Sequence, residues 1–171
     1  MSNINVLKRD GTIEDLNLEK VHKMVEFAVE GLAGVSASQV EIQSGLQFCD
    51  GIRSSDIQEI LIRSASDLIS EEHPNYQYVA ARLLLFGLRK AVHGHPEILP
   101  PLLEHVKGCI DKGVYDGTIV NRYSEEEWDR IDSFVDHERD YLFTYAGLRQ
   151  VVDKYLVQDR SSGEPVSYTH L

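Results

Sequence analysis

The chain has 171 residues, which is long enough to bury a core without help from disulfides or metals. Hydrophobic residues make up 42% of it and charged residues 26%, a composition that excludes disordered and fibrous proteins. The formal net charge of −11 opposes binding to a nucleic-acid backbone, because such binding needs a basic face. No nucleic-acid partner is therefore expected.

The acidic residues are unevenly distributed. Residues 124–140 carry eight Asp or Glu against Arg130 and Arg139, whereas residues 1–24 balance four acids with Lys8, Arg9, Lys20 and Lys23. An anionic small molecule is therefore most easily held at the N-terminal end of the chain.

The two cysteines indicate neither a metal site nor a disulfide. Cys49 and Cys109 lie 60 positions apart, and no second Cys or His stands at zinc-ligand spacing. Both are expected to be buried apolar side chains. The sequence also has no signal peptide and no apolar run of membrane-spanning length, so we expect a cytoplasmic protein without a membrane partner.

The first half of the chain predicts a hairpin followed by four helices. Asp10-Gly11, between two short extended stretches, is typical of a tight hairpin. Asn17 stands where a helix N-cap should, and the apolar face that follows is expected to continue until Gly34 stops the helix. Capping boxes are predicted to start the next two helices, Ser36 with Gln39 and Ser55 with Gln58, and the fourth runs from Pro74 to His93-Gly94.

Three prolines within residues 95–101 predict a boundary between two domains, residues 1–94 and residues 95–171. The second part is expected to be helical, with one helix over Leu102 to Ile110 and another capped by Ser124 and Glu127. A third helix is predicted within Tyr141 to Leu156. After this helix, a polar turn at Ser161, Ser162 and Gly163 between two short apolar stretches indicates a second hairpin.

The N-terminal basic residues suggest an anion site. The hairpin is expected to bring Lys8 and Arg9 beside the helix start at Leu18, where free backbone N–H groups and a partial positive charge favour a triphosphate. Lys20 can reach the same place, and Glu14 or Asn17 can bond to a base or sugar. The alternative is structural: a solvated Lys, a capping Asn17, a first-turn Glu14 and a helix-end Lys90.

No catalytic or metal-binding constellation is found in the sequence. The run Glu125 to Glu127 is interpreted as a solvated first turn, since acids there complement the helix dipole. His93 and His95 lack further metal ligands, and no glycine-rich phosphate loop is present. The segment Asp136 to Asp140 can hold a polar network but is interpreted first as a structural turn.

Three stretches resemble the ATP-cone of ribonucleotide reductases: Val6 to Gly11, Asn17 to Val21, and Tyr76 to Leu84. Asp136 to Asp140, Phe143 to Ala146 and Lys154 to Gln158 resemble the segment that leads into the ten-stranded α/β barrel of the aerobic, class I large subunit. The resemblance implies a mainly α (α+β) fold, in which a small hairpin on a four-helix ATP-cone precedes the helical start of the catalytic domain.

The resemblance also implies an allosteric site for ATP, an activator, or dATP, an inhibitor, with Mg²⁺. Lys8, Arg9 and Lys90 would meet the phosphates, the stretch Glu14 to Lys20 would line the base and sugar, and Ser54 would lie at a helix start near the nucleotide. The full set of residues so implied is Lys8, Arg9, Glu14, Asp15, Leu16, Asn17, Leu18, Glu19, Lys20, Val21, Ser54, Ile57 and Lys90. The implied protein partners are the radical-generating small subunit and other large subunits.

The sequence departs from the family in two respects. Gln58 stands where inhibitable members commonly carry a histidine, and Gln cannot become cationic as His can. The catalytic cysteines of the family lie beyond residue 171, so we expect a truncated, inactive part of a reductase with no catalytic residues of its own. Two alternatives stay open: a subunit-docking module that binds no nucleotide, and an ATP-cone regulator of transcription, although zinc-ribbon cysteines are missing.

Overall fold

The computed structural model describes residues 4–8, 11–159 and 163–167. Within these ranges the protein is mainly helical, with one small three-stranded sheet near the N-terminus. This confirms the fold class expected from the sequence. The chain divides into two compact units, residues 1–85 with 143–149, and residues 86–142 with 150–171. A functional domain boundary near residue 95 stays a prediction.

The sheet of the first unit is built on the expected hairpin. Strands β1 (Asn5–Leu7) and β2 (Ile13–Asp15) pair antiparallel, with Leu7 opposite Ile13. The Lys8 carbonyl accepts the Gly11 N–H at 3.1 Å, and Gly11 has φ of +84°, in the left-handed region that glycine adopts without strain. The predicted hairpin is therefore confirmed, although Asp10 lies outside the described residues.

A third strand, β3 (Ile52–Arg53), was not expected from the sequence. It pairs parallel to β1 on the side away from β2, with Val6 opposite Ile52. Asp50 fixes this edge, because its Oδ1 accepts both the backbone N–H and the side-chain amide of Asn5, each at 2.8 Å. These hydrogen bonds, the backbone one first, lower the pKa of Asp50 from its ordinary value.

Four helices complete most of the first unit: α1 (Leu18–Val29), α2 (Ala37–Gly45), α3 (Ser54–Asp67) and α4 (Tyr76–His93), of which α4 continues into the second unit. Each contributes fully buried side chains, namely Val25, Val40, Leu61, Ala65, Tyr76, Val79 and Leu83. The helical periodicity of these residues is the signal by which the sequence predicted all four helices.

Helix α1 ends earlier than expected. The sequence predicted that Gly34 would stop it, but the last helical residue is Val29. Gly31, with φ of +70°, already turns the backbone out of the helix. The freed carbonyls are satisfied from α4, since Arg82 donates to the Glu30 oxygen at 2.7 Å and to the Ala28 oxygen at 3.3 Å.

The capping boxes predicted for α2 and α3 are both wrong. Ser36 is the N-cap of α2, but its side chain makes no cap hydrogen bond. Its N–H, which a capping box would pair with Gln39, donates instead to the Tyr76 hydroxyl, and that hydroxyl donates to Gln39. Helix α3 begins at Ser54 with Arg53 as N-cap. Its start is set by the pairing of β3 with β1, and the Gln58 side chain is engaged elsewhere.

The helices predicted for the second part are confirmed at α5 (Leu102–Asp111), α6 (Glu125–Asp132) and α7 (Tyr145–Lys154), of which α7 begins in the first unit. Ser124 and Glu127 form the predicted capping box at α6. Two short 3-10 helices, Gly117–Arg122 and His137–Leu142, were not anticipated. The second hairpin is reduced to an antiparallel bridge between Gln158 and Pro165, and Ser161 and Ser162 lie outside the described residues.

The two cysteines differ in environment. Cys109 is buried, as expected, whereas Cys49 is exposed, so that expectation was wrong. Cys49 lies between α2 and β3 and belongs to neither element. Across the described residues, none of the helices is both long and apolar enough to cross a membrane.

Candidate functional site

Lys8 lies at one end of the small sheet, directly after β1. Its Nζ is 3.0 Å from Oε2 of Glu14 on the neighbouring strand β2, and the two side chains are 33% and 55% exposed. An exposed ion pair of this kind exchanges readily with solvent and with other charged groups. The Lys8 ammonium is thus a cation that an incoming anion can reach.

The start of α3 belongs to the same end of the sheet. Arg53 pairs with Leu7 in parallel register, so Ser54 and Lys8 each follow directly after paired residues. No side chain caps the start of α3. Because the first N–H groups of a helix have no partner within it and carry partial positive charge, this start favours a negatively charged group. The sheet therefore brings a lysine and an uncapped helix start together.

The start of α1 lies at the opposite end of the sheet. Asp15 pairs with Asn5, and the Leu16 N–H donates to the Ile4 carbonyl at 2.8 Å. Asn17 then caps α1, its Oδ1 accepting the Lys20 N–H at 2.9 Å. At roughly 3.3 Å per strand residue the two ends are about 7 Å apart. The register therefore places the backbone of Lys8 nearer to the α3 start than to the α1 start, and a shared site of Lys8 with the α1 start stays a prediction.

The other residues singled out from the sequence differ in exposure. Leu18 is 65% exposed and Lys20 is also exposed. Val21 and Ile57 are buried, and their apolar side chains form no hydrogen bonds. Glu19 pairs with Lys23 at 2.9 Å. Two more candidates stand apart: Arg9 lies outside the described residues, and Lys90 is an exposed residue in the last turn of α4, within the second unit.

Gln58 makes a contact that sequence reasoning missed. Its side-chain Nε2 donates to the backbone carbonyl of Leu83 at 2.7 Å, which joins α3 to α4. The partner is 25 positions away in the sequence, so a local pattern cannot predict this contact. The Gln58 amide is consequently engaged with the protein itself in this structure.

The second unit contains a separate buried polar cluster. Arg89 pairs with Asp140 at 2.8 Å, and it also donates to the Tyr141 hydroxyl at 3.0 Å and to the His137 carbonyl at 3.2 Å. The side chains of the ion pair are only 5% and 9% exposed. The polar network considered for Asp136 to Asp140 is therefore present, within a 3-10 helix. Its burial indicates a structural role.

Comparisons with known proteins identify the family. The ATP cone domain matches residues 4–91. The ribonucleoside-diphosphate reductase subunit alpha of Haemophilus influenzae is 51% identical over 159 residues, which are 93% of this chain and 21% of that protein. The ribonucleoside-diphosphate reductase 1 subunit alpha of Escherichia coli is 49% identical over 162 residues. The ribonucleoside-diphosphate reductase subunit alpha of Enterobacteria phage T4 is 39% identical over 166 residues, which are 96% of this chain and 22% of that protein.

These matches cover nearly the whole chain but only part of each relative. The alignment with the Escherichia coli protein covers 95% of this chain and 21% of that protein. This chain therefore corresponds to about a fifth of such a subunit. The family model and the curated relatives agree on the same N-terminal region. The chain therefore belongs to the ATP-cone family and is similar to the N-terminal region of ribonucleoside-diphosphate reductase alpha subunits.

Proposed function

We propose that this chain binds an adenine nucleoside triphosphate, ATP or dATP with Mg²⁺, as an allosteric effector. The observation that carries the proposal is the strand register, which places Lys8 and the uncapped start of α3 at the same end of the sheet. A lysine and free helix N–H groups are the chemistry that recognises phosphate oxygens. The match of residues 4–91 to the ATP cone domain supports the same conclusion.

The two ends of the sheet suit the two ends of a nucleotide. We assign the phosphates to Lys8, Arg9 and the helix start at Ser54, and the base and sugar to the stretch from Glu14 to Lys20 at the other end. Asp15 is exposed at that end and Glu14 is exposed in the middle of β2, and both carry acceptor oxygens that suit sugar hydroxyls. Lys90 and Arg9 enter this assignment from the family resemblance alone.

Binding would replace the Lys8–Glu14 ion pair by a Lys8–phosphate contact. The exposed pair contributes about 0–1 kcal/mol, whereas a hydrogen bond to a charged group contributes about 1.5–3 kcal/mol. The exchange therefore favours the nucleotide. Mg²⁺ would be bound by the phosphate oxygens of the nucleotide, since this hard cation commonly binds through substrate phosphates and keeps several waters.

Gln58 bears on the choice between ATP and dATP. Its amide is held by the Leu83 carbonyl and carries no charge. In the family a histidine at this position takes part in the response to dATP. We propose that this chain binds both nucleotides but that dATP inhibits its parent protein weakly or in a different way.

In the full-length subunit, we propose that the nucleotide regulates the reduction of ribonucleotides to deoxyribonucleotides in the cytoplasm. ATP and dATP would favour different arrangements of large subunits and the radical-generating small subunit. Only a difference in their affinity for the two arrangements can shift that equilibrium. Unchanged assembly and rate with both nucleotides would contradict this part of the proposal.

Calorimetric titration of the chain with ATP, and separately with dATP, in the presence of Mg²⁺ tests the binding proposal. We expect saturable heat with both nucleotides and weaker binding by Lys90→Ala. Lys23→Ala is the matched control, because Lys23 lies on α1 and pairs with Glu19 instead of belonging to the assigned site. No heat and no thermal stabilisation with either nucleotide would favour the subunit-docking alternative.

A further inference from the structure

His22 on α1 contacts two carboxylates at once. Its Nδ1 is 2.6 Å from Oε1 of Glu41 on α2, and its Nε2 is 3.2 Å from Oε1 of Glu26, one turn further along α1. The Glu41 side chain is 29% exposed and that of His22 is 50% exposed. The imidazole therefore joins α1 to α2 through Nδ1 and contacts a carboxylate of its own helix through Nε2.

This arrangement favours a positive charge on the ring. A neutral imidazole has one N–H donor and one bare nitrogen, so one of its nitrogens would face a carboxylate oxygen with a lone pair. The imidazolium donates from both nitrogens and satisfies both contacts. The hydrogen bond to Glu41, followed by weaker contributions from Glu26 and Glu41, raises the pKa of His22 above its ordinary value of 6.5.

The groups around His22 are mostly acidic. Glu26 lies beside it on α1 and Glu41 faces it from α2, while Glu19 and Lys23 on α1 pair with each other at 2.9 Å. Among the described residues, no group of three or more His, Cys, Asp or Glu is arranged to hold a metal ion. A proton on His22 is therefore the charge that balances this cluster.

His22 also lines a groove between α1 and α2. The groove has a volume of about 500 Å³ and is bounded by Leu18, Val21, Glu41, Ile42, Gly45 and Phe48. Leu18 and Ile42 are 65% and 68% exposed, so its walls are partly apolar. The His22–Glu41 contact connects the two helices that form these walls.

We propose that His22 is a protonation-dependent clasp that holds α2 against α1 and sets the shape and charge of this groove. With the ring charged, both carboxylates are engaged and the contact to Glu41 connects the two helices that form the groove. With the ring neutral, only one of its two nitrogens can donate a hydrogen bond, and the Glu41 carboxylate at the groove loses its counter-charge. The folded chain gains stability from the clasp below pH 6.5 and loses it as the pH rises through the raised pKa of His22.

NMR titration of the full 171-residue chain tests the clasp without any nucleotide, so its outcome is independent of the proposed function. The His22 ring nitrogens and the backbone amides of Ser44 and Gly45 are followed between about pH 5 and pH 9, a range that brackets the ordinary His pKa. We expect the ring to titrate above 6.5 and the groove amides to follow with the same midpoint.

Three variants sharpen the test. Glu41→Gln is expected to lower the His22 midpoint more than Glu26→Gln does, since the Glu41 hydrogen bond is the larger cause of the shift. His22→Gln is expected to abolish the titration of the groove amides while the remaining amide spectrum shows a folded chain. A ring that titrates at or below 6.5, or groove amides that titrate unchanged in His22→Gln, would overturn the proposal.

Discussion

Two ion pairs of nearly equal length have different consequences in this protein. Lys8 and Glu14 approach to 3.0 Å with side chains 33% and 55% exposed, whereas Arg89 and Asp140 approach to 2.8 Å with side chains 5% and 9% exposed. Water screens the first pair and is excluded from the second. Burial rather than distance therefore distinguishes a charge that a ligand can recruit from one that the fold requires.

The largest effect is expected from breaking the buried pair. Arg89→Met leaves the Asp140 carboxylate buried without its cation, and removal of one partner of such a pair costs about 3–5 kcal/mol. Urea unfolding followed by the fluorescence of Trp128, the single tryptophan and a buried residue of the same unit, measures the loss.

Two further variants complete that experiment. The double variant Arg89→Met with Asp140→Leu is expected to recover most of the stability, since no buried charge is then left unpaired. Glu14→Gln breaks the exposed pair and is expected to change stability by less than about 1 kcal/mol. Equal losses from Arg89→Met and Glu14→Gln would show that burial does not separate the two pairs.

The next effect concerns the exposed pair and its proposed ligand. Lys8→Ala removes a charged contact to phosphate, so we expect nucleotide affinity to fall by about 10- to 100-fold, corresponding to about 1.5–3 kcal/mol. The stability of the unliganded chain should change little, since the pair is exposed. Calorimetry with ATP measures the affinity. If Lys8→Ala binds ATP as tightly as the control variant Lys23→Ala does, Lys8 does not contact the nucleotide.

Ser54→Asp separates ligand binding from stability. An acid in the first turn of α3 complements the helix dipole and is expected to stabilise the free chain by about 0.3–1 kcal/mol. The same carboxylate repels phosphate, and we expect roughly tenfold weaker nucleotide binding. Thermal unfolding measures the change in stability, and calorimetry on the same sample measures the change in nucleotide affinity. Parallel changes in stability and affinity would contradict a phosphate at the α3 start.

The smallest effect is a pH dependence at the sheet edge. Asp50 has a lowered pKa because Asn5 donates to it, so its contribution to stability is present above the ordinary value of 3.8 and is lost as the pH falls through the lower value. Asp50→Asn should be less stable than the parent chain at pH 7 and equal to it at the acid end. Asp67→Asn, at the far end of α3, is the control. A constant difference at all pH values would exclude this linkage.

Local patterns predicted the elements whose partners are near in sequence. Capping boxes were predicted at three segments where Ser is followed three residues later by Glu or Gln, yet of these only Ser124 with Glu127 forms one. Gln39 bonds to Tyr76 and Gln58 to the Leu83 carbonyl instead. Both competing partners lie more than 20 positions away, so a local pattern cannot reveal them.

The candidate site shows the same division between local and distant information. Lys8 and the cap at Asn17 were predictable, because a basic residue after a strand and an Asn before an apolar helix are local signals. The two-residue strand β3, which pairs with β1 from 46 positions away and brings Ser54 to the Lys8 end, is too short to give a periodic pattern. For this reason the basic residues alone pointed to the α1 start, and Ser54 entered the expected site only through the family resemblance.

Amide chemical-shift mapping with ATP and with inorganic triphosphate tests the central claim most directly. The account predicts that triphosphate alone perturbs the amides of Lys8, Ser54 and Ser55, and that ATP perturbs these together with Leu16 and Asn17 at the other end of the sheet. Triphosphate shifts confined to the start of α1, with Ser54 and Ser55 unchanged, would contradict it.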